Sequence, residues 1–505
     1  MTAGAGGFVA GLRRRLRIAL VTALALLVGG GTPAPRRAER AAGAPGSAGR
    51  ALALAPGRDA LPRFVLLFIG DGMGPAQVDA AERYHAAAAS AERVREVPLE
   101  FTRFGVQTMV GTGSADAAVT DSAAAATALA TGQKTRNGHL GVATDGRTPL
   151  VSVASLARDG GWRIALISSA PLDHATPAAF YAHRASRGDL AGVAADLLAC
   201  GYDYFGGGGL DAASAAEPAV SSVWASLAAR GYTLAHAPGW RDARRLPAFA
   251  TARARDDPAA MPFELDRPPA APRLADFTRQ ALELMGTDRG FFLLVEGGQI
   301  DWACHAGDLG AAAAETLELG AAVAVGIEFA SRHAGRTLLV VTADHETGGL
   351  ALGAAPPGGG FAALRRQTMS HAALAAAVGD ALSTRADATL GDLAPLLERA
   401  LGEPVVGEAA AELGAAFAAA RQGLGAGRPR SSLRDAAAPL VTAALARLTR
   451  RAGARWSTTA HTATPVRVYA EGTAAARFAG LRDNAEVGRV LVDLVAAAVA
   501  ADTVP

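Results

Sequence analysis

The residues in this chain best suited to chemistry are acids at the ends of apolar runs, with histidines close behind. In the stretch Phe291 to His305, FFLLVEGGQIDWACH, an apolar run ends in Glu296, two glycines follow, and Asp301 and His305 come four residues apart. Residues four apart share a helix face, so the Asp301 carboxylate and the His305 imidazole can converge on one ion, with Glu296 supplying another oxygen. The same stretch also reads as a capped helix with a solvated acid at each end. Two further apolar runs end alike: Arg63 to Gly70 leads into Asp71, and Arg336 to Ala343 leads into Asp344 and His345. Three acids that each follow a buried strand fall on one edge of a parallel sheet, where α/β proteins bind ligands.

Asp71 lies in Gly70-Asp-Gly-Met-Gly74. A dinucleotide fingerprint there would set the Asp71 carboxylate against a pyrophosphate, so a divalent cation fits better, and the small neighbours let it approach closely. Ser122 follows Asp121 and precedes a run of alanines. It is sterically open at a helix start, where the dipole favours negative charge, although Asp-Ser before an Ala-rich helix commonly serves only as a cap. No Gly-x-Ser-x-Gly elbow surrounds it, so as a nucleophile Ser122 needs a metal to lower its pKa. His174 and Thr176 precede Pro177 in a loop that can reach an ion, and Arg187 can clamp a phosphate or simply be a solvated helix arginine. Four glycines after Phe205 read as a loop that cradles phosphate or merely connects. His461, in a Thr-rich loop, is a last ligand or a structural histidine.

Positioning these side chains requires strands at Arg63–Gly70, Gly105–Val110, Arg163–Ser168, Phe291–Val295 and Arg336–Ala343. Helices are expected at Val151–Asp159, Leu274–Leu284, from His305 to His333, and from Ala485 to Ala500, with an irregular excursion from Arg241 to Pro272. From about 354 to 455 the chain turns to Ala/Leu/Arg helices without a chemical motif, a helical insertion. With 50% hydrophobic and 19% charged residues the chain is a packed globular protein. A net charge of +2 carried by scattered arginines gives no basic stripe, so no nucleic-acid partner is expected. The only cysteines, Cys200 and Cys304, exclude a Cys-rich zinc module, which leaves Asp, Glu and His to hold any transition metal. A disulfide between them is open after export. Arg13-Arg-Arg-Leu-Arg17 followed by apolar Ile18 to Val28 reads as an export signal, so residues 1–60 are taken as signal and linker and 61–505 as the catalytic domain. The destination is periplasmic or extracellular, by a route for which the paired arginines allow the twin-arginine system. No stable membrane span is left once the signal is removed.

Taken in order, Ile69-Gly-Asp71-Gly-Met-Gly, Thr120-Asp-Ser122-Ala-Ala-Ala-Ala-Thr-Ala, His174-Ala-Thr176-Pro-Ala-Ala-Phe, Val295-Glu296-Gly-Gly-Gln-Ile-Asp301-Trp-Ala-Cys-His305, Thr342-Ala-Asp344-His345 and Thr459-Ala-His461-Thr resemble the alkaline phosphatases. The resemblance runs from about residue 63 to the C-terminus. It implies an α/β fold, a central and largely parallel sheet with helices on both faces, and hydrolysis of small phosphate monoesters through a phosphoserine, with two zincs and a magnesium. It assigns Asp301, His305 and His461 to the first zinc, and Asp71, Asp344, His345 and the attacking Ser122 to the second. Asp71, Thr176 and Glu296 hold the third ion, Arg187 binds phosphate, and Asp121 orients that arginine. A homodimer is also implied.

Two positions depart from the pattern. Where some bacterial members carry Asp and Lys, this chain has His174 and Trp302, placed around the ligands. A histidine there leaves the third ion open between magnesium and another divalent metal. A sulfatase would show a Cys/Ser-x-Pro-x-Arg motif, which the alanines after Ser122 replace. A phosphodiesterase of the same superfamily and a non-catalytic phosphate-binding protein are the remaining alternatives; the second would require a missing ligand or nucleophile, and none is missing.

Overall fold

The structure, a computed structural model, describes residues 60–89, 98–211, 219–252, 259–384, 387–422 and 431–502. The stretch read as an export signal lies outside them.

Nine strands form the main sheet: β1 (Phe64–Gly70), β2 (Val106–Val110), β3 (Arg163–Ser168), β4 (Tyr204–Gly207), β5 (Thr233–His236), β6 (Ala248–Thr251), β7 (Phe291–Gly297), β8 (Thr337–Ala343) and β9 (Val466–Gly472). Their spatial order is β2-β9-β8-β1-β7-β3-β4-β6-β5. Only β9 runs against its neighbours, β2 and β8; every other pairing is parallel. β1, β7 and β8 are buried at every position, because helices cover both faces and a continuous apolar run is the only sequence that such a strand tolerates. The long helix Leu309–Arg332 packs on these three strands, and helices Pro75–Ala89 and Leu274–Met285 pack against it, while Asn484–Asp502 packs on Ser122–Thr131 and Val153–Asp159.

Register decides where the acids go. Gly70 of β1 stands opposite Gly297 of β7 and Ala343 of β8, so Asp71, Glu296 and Asp344 emerge side by side at the C-terminal edge.

Four local expectations change. The first half of the four-glycine stretch is strand rather than loop, since Gly206 and Gly207 lie within β4; at Gly207 (φ 109°) a Cβ would stand 2.0 Å from the Ser168 carbonyl oxygen, so the glycine permits a close strand approach. The expected excursion from Arg241 to Pro272 contains β6, which pairs with β4 and β5. The long helix expected after His305 is present but begins only at Leu309: helix Gln299–His305 ends, Gly307 takes a positive φ of 67°, and Asp308 caps Leu309–Arg332. The helix around Pro177 is a single turn, Ala175–Ala178, so Arg187 lies in the chain beyond it. Both cysteines are free and buried, Cys200 with its thiol on the Leu197 carbonyl and Cys304 beside Gln77, so the open disulfide is not formed.

The helices between residues 361 and 451 build an apolar cluster of their own around Leu374, Leu397, Leu413 and Leu440, which also takes in Tyr84 and Leu309. Asp308 ties them to the long helix Leu309–Arg332. Its fully buried carboxylate accepts from the Ala311 amide at 3.0 Å, the Gln367 amide group at 2.8 Å and the His371 backbone amide at 2.7 Å. Asp308→Ala removes a cap and leaves buried donors without an acceptor, which should cost on the order of 3 kcal/mol. The expected result is a lower unfolding midpoint with earlier proteolysis within residues 361–451; an unchanged midpoint would show that the anchor is dispensable.

Candidate metal centre

Helix Gln299–His305 follows β7 and sets Asp301 and His305 on one face, with His305 Nε2 3.2 Å from Asp301 Oδ2. His461 arrives from the far end of the chain on a short strand, His461–Thr462, which pairs with Glu346–Thr347 just beyond β8. Its Nε2 stands 3.2 Å from His305 Nε2 and 3.6 Å from Asp301 Oδ1, so these three side chains come together.

His345 Nε2 lies 3.2 Å from Asp344 Oδ2 and 3.4 Å from Asp71 Oδ1, and all three residues are fully buried. Ser122 opens helix Ser122–Thr131 with its hydroxyl oxygen 3.2 Å from the same Nε2. Asp121 is the cap as well as a partner of the arginine: Oδ1 accepts from the Ala124 amide at 3.0 Å, while Oδ2 lies 3.4 Å from Arg187 Nη1. Among the described residues, Asp301, His345 and His461 form one potential cation group and Asp71, Asp344 and His345 another, so His345 is common to both.

A third group consists of Asp71, Glu296 and His174. His174 therefore stands in the cluster itself rather than behind it. Its ring meets Trp302 edge-on, with centroids 5.9 Å apart, and its Nε2 is 3.0 Å from Arg187 Nη2. Thr176 is fully buried in the turn Ala175–Ala178, and its hydroxyl has no partner.

The residues fit divalent cations. Both oxygens of Asp71, Oδ2 of Asp344, Oε1 of Glu296, the Thr176 hydroxyl and Nδ1 of His174 are buried without a hydrogen-bond partner, an arrangement too costly to keep unless a cation completes it. Burial and the neighbouring Asp344 and Asp301 raise Asp71 well above the usual carboxylate range. Burial, then Asp301, raises Asp344 to about 7, and burial raises Glu296 to about 8 against the Ser168 hydroxyl bonded to it. Burial also holds His345 down to about 4, so the ring is neutral and its contacts with Asp71 and Asp344 are not ion pairs.

The histidines are oriented through their other nitrogens. His305 Nδ1 donates to the Thr459 carbonyl at 2.5 Å and His461 Nδ1 to the Thr120 carbonyl at 2.9 Å. The Thr347 hydroxyl donates to Asp301 Oδ1 at 2.6 Å, so at 3.2 Å it must accept from His345 Nδ1–H. All three rings then turn Nε2 to the cluster. Thr347, Ser168 and the two carbonyls were missed in the sequence: a hydroxyl or a carbonyl carries no spacing signature, although Thr347 lies only two residues past His345.

The alkaline phosphatase family profile matches residues 62–200 and 256–497. The chain belongs to the alkaline phosphatase family. A streptomycin-6-phosphate phosphatase from Streptomyces griseus is 35% identical over 56% of this chain and 73% of its own length, and alkaline phosphatase 4 of Bacillus subtilis is 32% identical over 58% and 63%. The crystal structure of a cold-active alkaline phosphatase from a psychrophilic Shewanella is 30% identical, with a TM-score of 0.70 over 86% of this chain and 99% of that one. Membership makes this protein a phosphatase and implies divalent metal ions, which the clustered ligands fit.

Metal removal should therefore expose a pH-dependent weakness. The folded chain keeps protons on Asp344 and Glu296 up to about pH 7 and 8, whereas the unfolded chain releases them near the ordinary carboxylate values. The folded state then binds more protons, so stability of the metal-free protein falls as pH rises through this window. Chelator-treated protein should melt lower at about pH 9 than at about pH 5, and added zinc should restore the midpoint mostly at the higher pH. Equal restoration at both would argue against cation balance of these acids.

Proposed function

We propose that this alkaline phosphatase family member hydrolyses phosphate monoesters through a covalent phosphoserine at Ser122. The observation that carries this reading is the Ser122 hydroxyl at a helix N-terminus, 3.2 Å from His345 Nε2 at the junction of the ligand groups. In the first step Ser122 Oγ bonds to phosphorus while the bond from phosphorus to the ester oxygen breaks; the electron pair leaves with that oxygen, and the proton that Ser122 gives up ends on it to complete the alcohol. Water then bonds to phosphorus, the bond to Ser122 breaks, the serine regains a proton and inorganic phosphate departs.

Asp301, His305 and His461 would hold one zinc, and Asp71, Asp344 and His345 the other; Asp71, Glu296 and Thr176 offer the hard oxygens that suit magnesium, while the His174 nitrogen tilts the third group toward a transition ion. Bound ions would supply Lewis-acid stabilisation of the phosphoryl oxygens and lower the pKa of the attacking hydroxyls. Arg187, held by Asp121, donates to two non-transferring oxygens and fixes their orientation. The helix dipole at Ser122 adds to that stabilisation. We also propose export to the periplasm or the medium, on the basic and apolar pattern of residues 13–28, and a homodimer, on family likeness. Among the described residues one helix, Leu309–Arg332, is long and apolar enough to cross a membrane, and it is mostly buried in the core.

Ser122→Ala should bind metal normally and lose most turnover, and acid quenching during turnover of labelled phosphate ester should trap phosphoserine in the parent protein only. Unchanged turnover removes Ser122 from the mechanism. Arg187→Ala should weaken phosphate inhibition and cost about 2 to 4 kcal/mol of transition-state stabilisation at most, less than the serine change. A diester cleaved faster than its monoester would instead select the phosphodiesterase reading.

A further inference from the structure

Arg187 and the third ligand group meet at one side chain. His174 Nε2 lies 3.0 Å from Arg187 Nη2, and a guanidinium can only donate, so Nε2 is the unprotonated nitrogen and the ring proton sits on Nδ1. Nδ1 is buried and has no hydrogen-bond partner. A nitrogen of this ring also lies within 4.8 Å of ligand oxygens of Asp71 and Glu296. A neutral imidazole has one lone pair in its plane, and here the arginine occupies it.

A cation coordinated by His174 must take that lone pair, whichever nitrogen it meets. At Nε2 it displaces the arginine hydrogen directly. At Nδ1 it moves the ring proton to Nε2, where N–H would face N–H. In both cases the hydrogen bond between Arg187 and His174 is lost. The second tether of the arginine, Nη1 to Asp121 Oδ2 at 3.4 Å, does not involve the ring and keeps the guanidinium at the mouth of the site.

We infer that His174 is a positioning residue that exchanges Arg187 for the third divalent cation, so that ion binding there frees one amino group of the arginine for phosphate. This rests on Arg187 as the phosphate ligand proposed above. Reciprocity follows: if the ion tightens phosphate, phosphate tightens the ion by the same factor.

The test uses the full chain loaded with two zincs, titrated with inorganic phosphate by calorimetry without and with saturating Mn2+. Manganese binds nitrogen ligands more weakly than zinc does, so it leaves the histidine-rich groups alone. Mn2+ should tighten phosphate at least about 5-fold, and phosphate should tighten Mn2+ equally, followed by spin resonance of free Mn2+. Arg187→Ala should keep only the direct attraction between ion and phosphate. His174→Asp supplies a carboxylate with lone pairs for ion and arginine together, so its coupling factor should drop to that of Arg187→Ala. His174→Asn, whose amide oxygen also has two lone pairs, should behave likewise. Wild-type coupling retained in both His174 variants, or no tightening by Mn2+ in the parent protein, overturns the inference. Phosphate bound as tightly by Arg187→Ala as by the parent protein would instead overturn the role of the arginine itself.

Discussion

Like charge brought together out of water is the condition that the centre of this molecule has to satisfy. Asp71 and Asp344 leave two adjacent strands at one level, Glu296 stands two residues back on the third, and all three are fully buried. Carboxylates so placed hold their protons or find positive charge, and the chain supplies little of its own beyond Arg187 at the rim. Divalent cations are the remaining answer. The family to which the chain belongs uses them, so the unpartnered oxygens and the family assignment agree on independent grounds.

The surroundings hold these groups in place without neutralising them. Asp344 Oδ1 accepts from the Gly72 amide at 3.1 Å and the His345 amide at 2.9 Å, leaving Oδ2 for the cluster. Gly72 has φ 72°, and a Cβ there would stand 3.0 Å from Asp301 Oδ1, so the backbone passes close to the ligands only because that residue lacks a side chain. Thr347 couples Asp301 to His345 with a single hydroxyl, which makes the two histidine-bearing groups one hydrogen-bonded unit.

Completion of the centre depends on chain that returns late. After helix Ser431–Arg451, a short strand at Ala454–Arg455 pairs with Ala351–Leu352, and Trp456 then packs over Gly348, where a Cβ would meet its ring at 2.4 Å. That contact fixes the start of the loop bearing Thr459, whose carbonyl orients His305, and His461. The separate apolar cluster of the helices between 361 and 451 thereby joins the ligand loop through one aromatic residue that packs against both cores.

Much of this was determined by the sequence itself. The apolar runs ending at Gly70, Glu296 and Ala343 specify buried parallel strands, and the four-residue spacing of Asp301 and His305 specifies a shared helix face, because periodicity and burial are local consequences of residue type. Ser122 and Asp121 were likewise legible as a helix start. The short strands β4, β5 and β6 were not: each is four residues long and held by its neighbours more than by its own propensity. Nor did the sequence show that His174 stands among the ligands while also accepting from Arg187, that Thr347 bridges two of them, or that His461 closes the first group across more than a hundred residues of chain. Those are matters of distance between segments that meet only when the sheet register and the packing of the returning loop are set, and tertiary structure alone decides them.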